Sequence, residues 1–123
     1  MSYQFYKLLH IIGIAALFMA FGAMAMHGWI SKERIQRPIR TIIAITHGVA
    51  LALILVAGFG LLAKTGHTSG FPGWVYPKFI IWLVFGAAIS LLIRRPKLGK
   101  FMWIVLPLWA GLAAYYAIYK PGA

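Results

Sequence analysis

The 123-residue sequence has no cysteine and a single acidic residue, Glu33, against 12 lysines and arginines. Without cysteine there can be no disulfides, thiolate metal sites, iron–sulfur clusters or thioether attachment of haem. One carboxylate cannot form a general acid/base pair, nor an oxygen-rich cage for Ca²⁺ or Mg²⁺. Glu33 also lies outside the long apolar runs, so no intramembrane carboxylate is present to couple proton and cation movement, which argues against a small cation or multidrug transporter. The formal net charge of +11 would suggest nucleic acid in a water-soluble protein. Here the cations fall between apolar runs instead of forming a stripe with aromatics interleaved, so no nucleic-acid partner is expected.

What is abundant is hydrocarbon: 63% of the residues are hydrophobic, against roughly 45–50% in a soluble domain. A bilayer core of about 30 Å is crossed by roughly 20 apolar residues in a helix, since unpaired backbone amides are not tolerated in hydrocarbon. Four stretches meet that requirement, at about 6–27, 40–63, 75–93 and 101–119. The first two contain no proline, whereas Pro107 near the middle of the fourth is expected to kink it or open one backbone hydrogen bond. The expected fold is a single all-α domain over 1–123, an integral membrane bundle of four transmembrane helices in up-down order. Lys7, the apolar run after it and Ala23-Met24-Ala25 loosely mimic a signal peptide, but the run is longer than a signal core and is expected to remain as the first span.

The connections differ in charge. The first and third hold Lys32, Arg34, Arg37, Arg40, Arg94, Arg95, Lys97 and Lys100, and the opposite face holds Lys7, Lys64, Lys78 and Lys120. The positive-inside rule then puts both termini outside. The basic inner loops are expected to meet anionic lipid headgroups, at about 1 kcal/mol per residue near the surface; a soluble acidic partner is the other reading of them. Trp29, Trp74, Trp103 and the run Tyr115, Tyr116, Tyr119 fall near span ends, where amphipathic rings prefer the headgroup zone.

Lipid tails remove the usual hydrophobic drive for helix association, so small residues that allow close approach must supply much of it. Four-residue spacings of this kind occur at Ala16 and Ala20, at Ala44, Gly48 and Ala52, at Gly86 and Ser90, and at Ala110 and Ala114. The three in register on the second span make the best candidate for a packing face.

Two ionisable side chains, His10 and His47, lie inside spans. Such positions are costly to bury and are the default functional candidates. A neutral imidazole is a common axial ligand of haem iron; it can also simply donate a hydrogen bond to a carbonyl or hydroxyl of a neighbouring helix. His10 and His47 are thus the candidate cofactor-binding and metal-ligating residues. Helical rise puts them at different depths, so two single-histidine sites, or one, are expected instead of a shared clamp. His27 is nearer in depth to His47, and His67, in the second loop, to His10. Met24, Met26 and His27 carry donors that suit Cu(I), but neighbouring helical positions point apart, which favours ordinary packing roles. Lys78 either snorkels to the headgroups or offers a cation to a propionate or another anion.

The run Lys7-Leu8-Leu9-His10-Ile11-Ile12-Gly13 resembles the first-helix pattern of a loose bacterial group that includes the HemJ-type protoporphyrinogen oxidases, the CopD-type copper-resistance membrane proteins and the SirB-like proteins. Thr46-His47, then Gly58-Phe59-Gly60, then Tyr76 to Lys78 ahead of a span ending in Arg94-Arg95, is similar to the CopD-like layout. This resemblance implies haem b held by a first-helix histidine, which carries over to His10. No full oxidase signature and no periplasmic copper-binding part accompany it, so it implies neither enzymatic activity. The expectation is a protein of the bacterial inner (cytoplasmic) membrane, with both termini periplasmic, that binds haem b or a related porphyrin, with His10 the first candidate ligand and His47 the second. The alternative is a non-enzymatic structural or accessory membrane protein, as a homo-oligomer, whose histidines only join helices.

Overall fold

In a computed structural model, residues 2–66 and 72–120 are described. They form four helices, α1 (Tyr3–Ser31), α2 (Ile39–Lys64), α3 (Val75–Arg94) and α4 (Gly99–Tyr119), with a 3₁₀ turn at Pro96–Leu98 before the last. All four are long and apolar enough to cross a membrane, and no strand occurs among the described residues. Each helix extends somewhat beyond its expected apolar run, because polar caps and flanks continue the helical hydrogen bonding past the hydrocarbon-compatible core. At the start of α1 the Ser2 hydroxyl accepts from the Phe5 N–H at 3.2 Å. At its end Lys32 turns left-handed, with φ 59°, and its N–H bonds to the Gly28 carbonyl, a common way for a helix to stop.

The helices run up-down, so both basic connections meet at one end of the bundle. There, a Cβ added to Gly28 would run into the backbone of Pro96, and one added to Gly99 would run into the Ala25 carbonyl. The end of α1 is therefore seated directly against the α3–α4 turn. α1 packs most extensively against α2 and next against α4, while α3 leans mainly on α4. Leu17, Phe21, Phe85, Leu92 and Leu106 form the centre of the core, drawn from α1, α3 and α4, with Ile43 and Ala50 supplied by α2.

One sequence expectation is corrected. Ala44, Gly48 and Ala52 do not form a packing face: all three are exposed, and nothing lies within 4 Å of a Cβ placed on Gly48. α2 instead turns Ile43, His47, Ala50 and Ala57 inward. Orienting the helix to bury and pair the imidazole leaves the small-residue stripe about one residue's rotation outside the contact. Pro107 lies inside α4, which continues as one helix from Gly99 to Tyr119. Other spacings fare better, since Ala20 is buried and Ala16 packs against the core. Met24 is 2% exposed and Met26 37%, so the two thioethers point apart, one into the core and one outward.

Candidate functional site

Near the end of the bundle opposite the basic connections, α1 and α2 approach through glycine. A Cβ on Gly13 would come within 2.8 Å of Ile54 Cγ1 and 3.3 Å of the Ala50 carbonyl, and the Tyr6 ring covers Gly60 so closely that no Cβ fits beneath it. The His10 ring lies over Gly58, whose position for a Cβ is 3.6 Å from His10 Cε1. This proximity lets His10 Nδ1 reach the Ile54 carbonyl at 3.0 Å. A carbonyl only accepts, so Nδ1 carries the proton and Nε2 keeps its lone pair. Nε2 has no hydrogen-bond partner among the described residues.

His47 sits two turns earlier on α2 than Ile54, about 10 Å away by helical rise, and its surroundings are different. It is 5% exposed. Its Nε2 donates to the Phe85 carbonyl of α3 at 3.1 Å, and its ring stands edge-on to Phe21 with centroids 5.3 Å apart. Phe21 also meets Phe85 and Phe18, at 5.6 and 5.7 Å between centroids, which closes an aromatic wall around the imidazole. One turn along α2 from His47, the Leu51 carbonyl accepts from Trp82 Nε1 of α3 at 3.1 Å. α2 and α3 therefore exchange side-chain hydrogen bonds, His47 onto the α3 backbone and Trp82 onto the α2 backbone. These two carbonyls already belong to helical ladders, and the second donor uses their remaining lone pair.

The structure does not bring the histidines together. His10 and His47 serve different helix pairs at different depths, so they do not clamp one ligand between them. His27 lies near the basic end, its Nε2 3.2 Å from the Ser31 hydroxyl. His67 falls outside the described residues. No group of three or more His, Cys, Asp or Glu side chains with metal-binding proximity occurs among the described residues.

Two cations accompany His10 at its end of the bundle. The Lys78 ammonium lies 5.7 Å and the Lys120 ammonium 5.3 Å from the centre of the same Trp74 ring, within the range of a cation–π contact. Among the clefts that indent the described part of the bundle, one lies between α3 and α4 and one between α1 and α4, and neither of these borders a histidine.

Trp82 and the paired carbonyls of Leu51 and Phe85 were not singled out from the sequence. A tryptophan in mid-span was the available signal, since its N–H requires an acceptor wherever water is excluded. Trp109 makes the same point by exception: its Nε1 is fully buried without a hydrogen-bond partner. Searches against protein families, curated proteins and solved structures found nothing that matches this chain.

Proposed function

We propose that this is a multi-pass protein of the bacterial cytoplasmic membrane that binds haem b or a related porphyrin through His10 alone, with His47 serving as a strut between helices. The observation that carries the reading is the hydrogen bond from His10 Nδ1 to the Ile54 carbonyl. Metal-ligating histidines typically spend their second ring nitrogen on a carbonyl or carboxylate, which fixes the tautomer and aims the lone pair of the other. His10 has that arrangement, and Lys78 and Lys120 supply positive charge on the same side for propionates. His47 also spends one ring nitrogen on a carbonyl, that of Phe85, but it does not fit, because its ring is buried and enclosed by aromatic side chains. No reaction is assigned to the protein. A bound porphyrin would supply the electronic chemistry; the chain would supply one imidazole, two ammonium groups and an apolar surround.

A second reading is favoured by a specific observation as well. Both imidazoles are bonded to carbonyls of neighbouring helices, as in a non-enzymatic accessory or structural protein. Absorption spectra of gently purified protein, expressed with haem supplied, separate the two. Porphyrin binding predicts a Soret band in the wild type. A protein that remains folded but shows no such band supports the second reading. The orientation belongs to the same proposal, and reporters fused after residue 120 should be active in the periplasm, because the basic connections prefer the cytoplasmic side.

A further inference from the structure

The cleft between α3 and α4 has a volume of about 700 Å³, within the usual range of ligand pockets. Its walls are Val84, Ala87, Ser90 and Leu91 of α3 and Val105 and Trp109 of α4, and Arg94 closes it at the basic end of the bundle. From Arg94 back to Val84 is roughly three turns of helix, about 15 Å, which is half the hydrocarbon thickness of a bilayer. The cleft is thus one leaflet deep, open to the lipid side, apolar along its length and cationic at its mouth.

Arg94 is exposed and belongs to the turn that also carries Arg95, Lys97 and Lys100. Glu33 is the only acid in the chain, and no ion pair involving Arg94 occurs among the described residues. A second copy of the chain, related by an axis along the membrane normal, would bring its own basic turn to the same depth, opposite charges of the same sign. A zwitterionic lipid also offers a phosphate, but it brings its own ammonium beside it, which competes with the guanidinium and is repelled by the rest of the basic turn. We infer that the α3–α4 cleft is a binding site for one anionic phospholipid of the leaflet at the basic end, with an acyl chain between Ala87, Ser90 and Val105 and the phosphate on Arg94. Guanidinium is well matched to this task, because its planar fork bonds phosphate oxygens in pairs. The inference rests on the membrane-spanning reading and is independent of the porphyrin.

Native mass spectrometry of the full chain, mixed in detergent with equal amounts of dioleoyl phosphatidylglycerol and dioleoyl phosphatidylcholine, provides the test. One phosphatidylglycerol is expected to be retained in clear preference. Arg94→Gln should lower that preference at least ~5-fold, the order expected for losing one charge-assisted phosphate contact, whereas Arg40→Gln in the other basic connection should leave it. Ala87→Phe and Ala87→Leu should both reduce retention with the melting temperature unchanged, because Ala87 is exposed and a larger side chain fills the cleft without entering the core. Equal retention of the two lipids, or Arg94→Gln matching the wild type, overturns the site. A dimer lost in the Ala87 variants while lipid retention is unaltered also overturns it, and marks the cleft as an interface between copies. Failure of the membrane reading itself would be distinct, seen as extraction of the protein from membranes by alkaline carbonate.

Discussion

α1 with α2 and α3 with α4 are both antiparallel pairs of apolar helices, yet they are built on different principles. In the first pair glycine meets backbone or ring: Gly13 lies against Ala50 and Ile54, Gly58 beneath His10, and Gly60 beneath Tyr6. In the second pair the helices stand apart around a cleft, and α4 buries only Gly99 and Leu106. Hydrocarbon gives apolar side chains no reason to leave lipid for one another, so two such helices close up only where small residues admit the partner. α1 and α2 place Gly13, Gly58 and Gly60 at their contact. α4 has Gly111 where nothing lies within 4 Å of a Cβ, and that glycine does no packing.

The two pairs are locked together at the basic end by Gly28 and Gly99, and substitution there should have the largest effect. Gly28→Ala and Gly99→Ala each place a methyl into backbone that cannot swing aside, and should cost about 3 kcal/mol, the upper part of the overpacking range. Chemical denaturation in mixed micelles reads this loss. Gly60→Ala comes next at about 2 kcal/mol, since the Tyr6 ring has to be displaced; pairing it with Tyr6→Ala should restore much of the loss. A double-mutant cycle showing simple additivity would remove the contact from the account of the α1–α2 pair.

His47→Leu should destabilise by about 1–2 kcal/mol, combining a lost interhelical hydrogen bond with imperfect filling among Phe21 and Phe85. Trp82→Phe, which removes the N–H given to Leu51 together with part of the indole ring, should cost at least about 0.6 kcal/mol, the average for such bonds in membrane bundles. The smallest effect belongs to the residues that face outward. Gly48→Ala and Gly111→Ala should be neutral or stabilising by up to about 1 kcal/mol through helix propensity, and a substantial loss at Gly48 would show that its exposed face packs against another molecule.

How much of this was readable in the sequence follows from what each signal measures. Apolar length counts residues in hydrocarbon, so it located four helices, and the ends of α1 were extended by capping at Ser2 and Lys32 that hydropathy does not register. The rotation of each helix about its axis was less accessible. With apolar residues on every side of α2, no polar face announces the outside, and spacing of small residues alone pointed to Ala44, Gly48 and Ala52. The better guide was already present in His47, because a polar ring in hydrocarbon needs a partner and so tends to face another helix. The different depths of His10 and His47 followed from helical rise. Their different surroundings, one over a glycine and one inside an aromatic wall, depend on which helices meet.

The account turns on His10 being available to a ligand and His47 being a strut, and chemical rescue tests this most directly. His10→Gly and His47→Gly are expressed with haem supplied, and the Soret band per folded protein is measured with and without added imidazole. The prediction is that His10→Gly loses the band and free imidazole restores it, while His47→Gly, though less stable, keeps it. A full band in His10→Gly without imidazole, or loss and rescue in His47→Gly instead, would contradict the assignment.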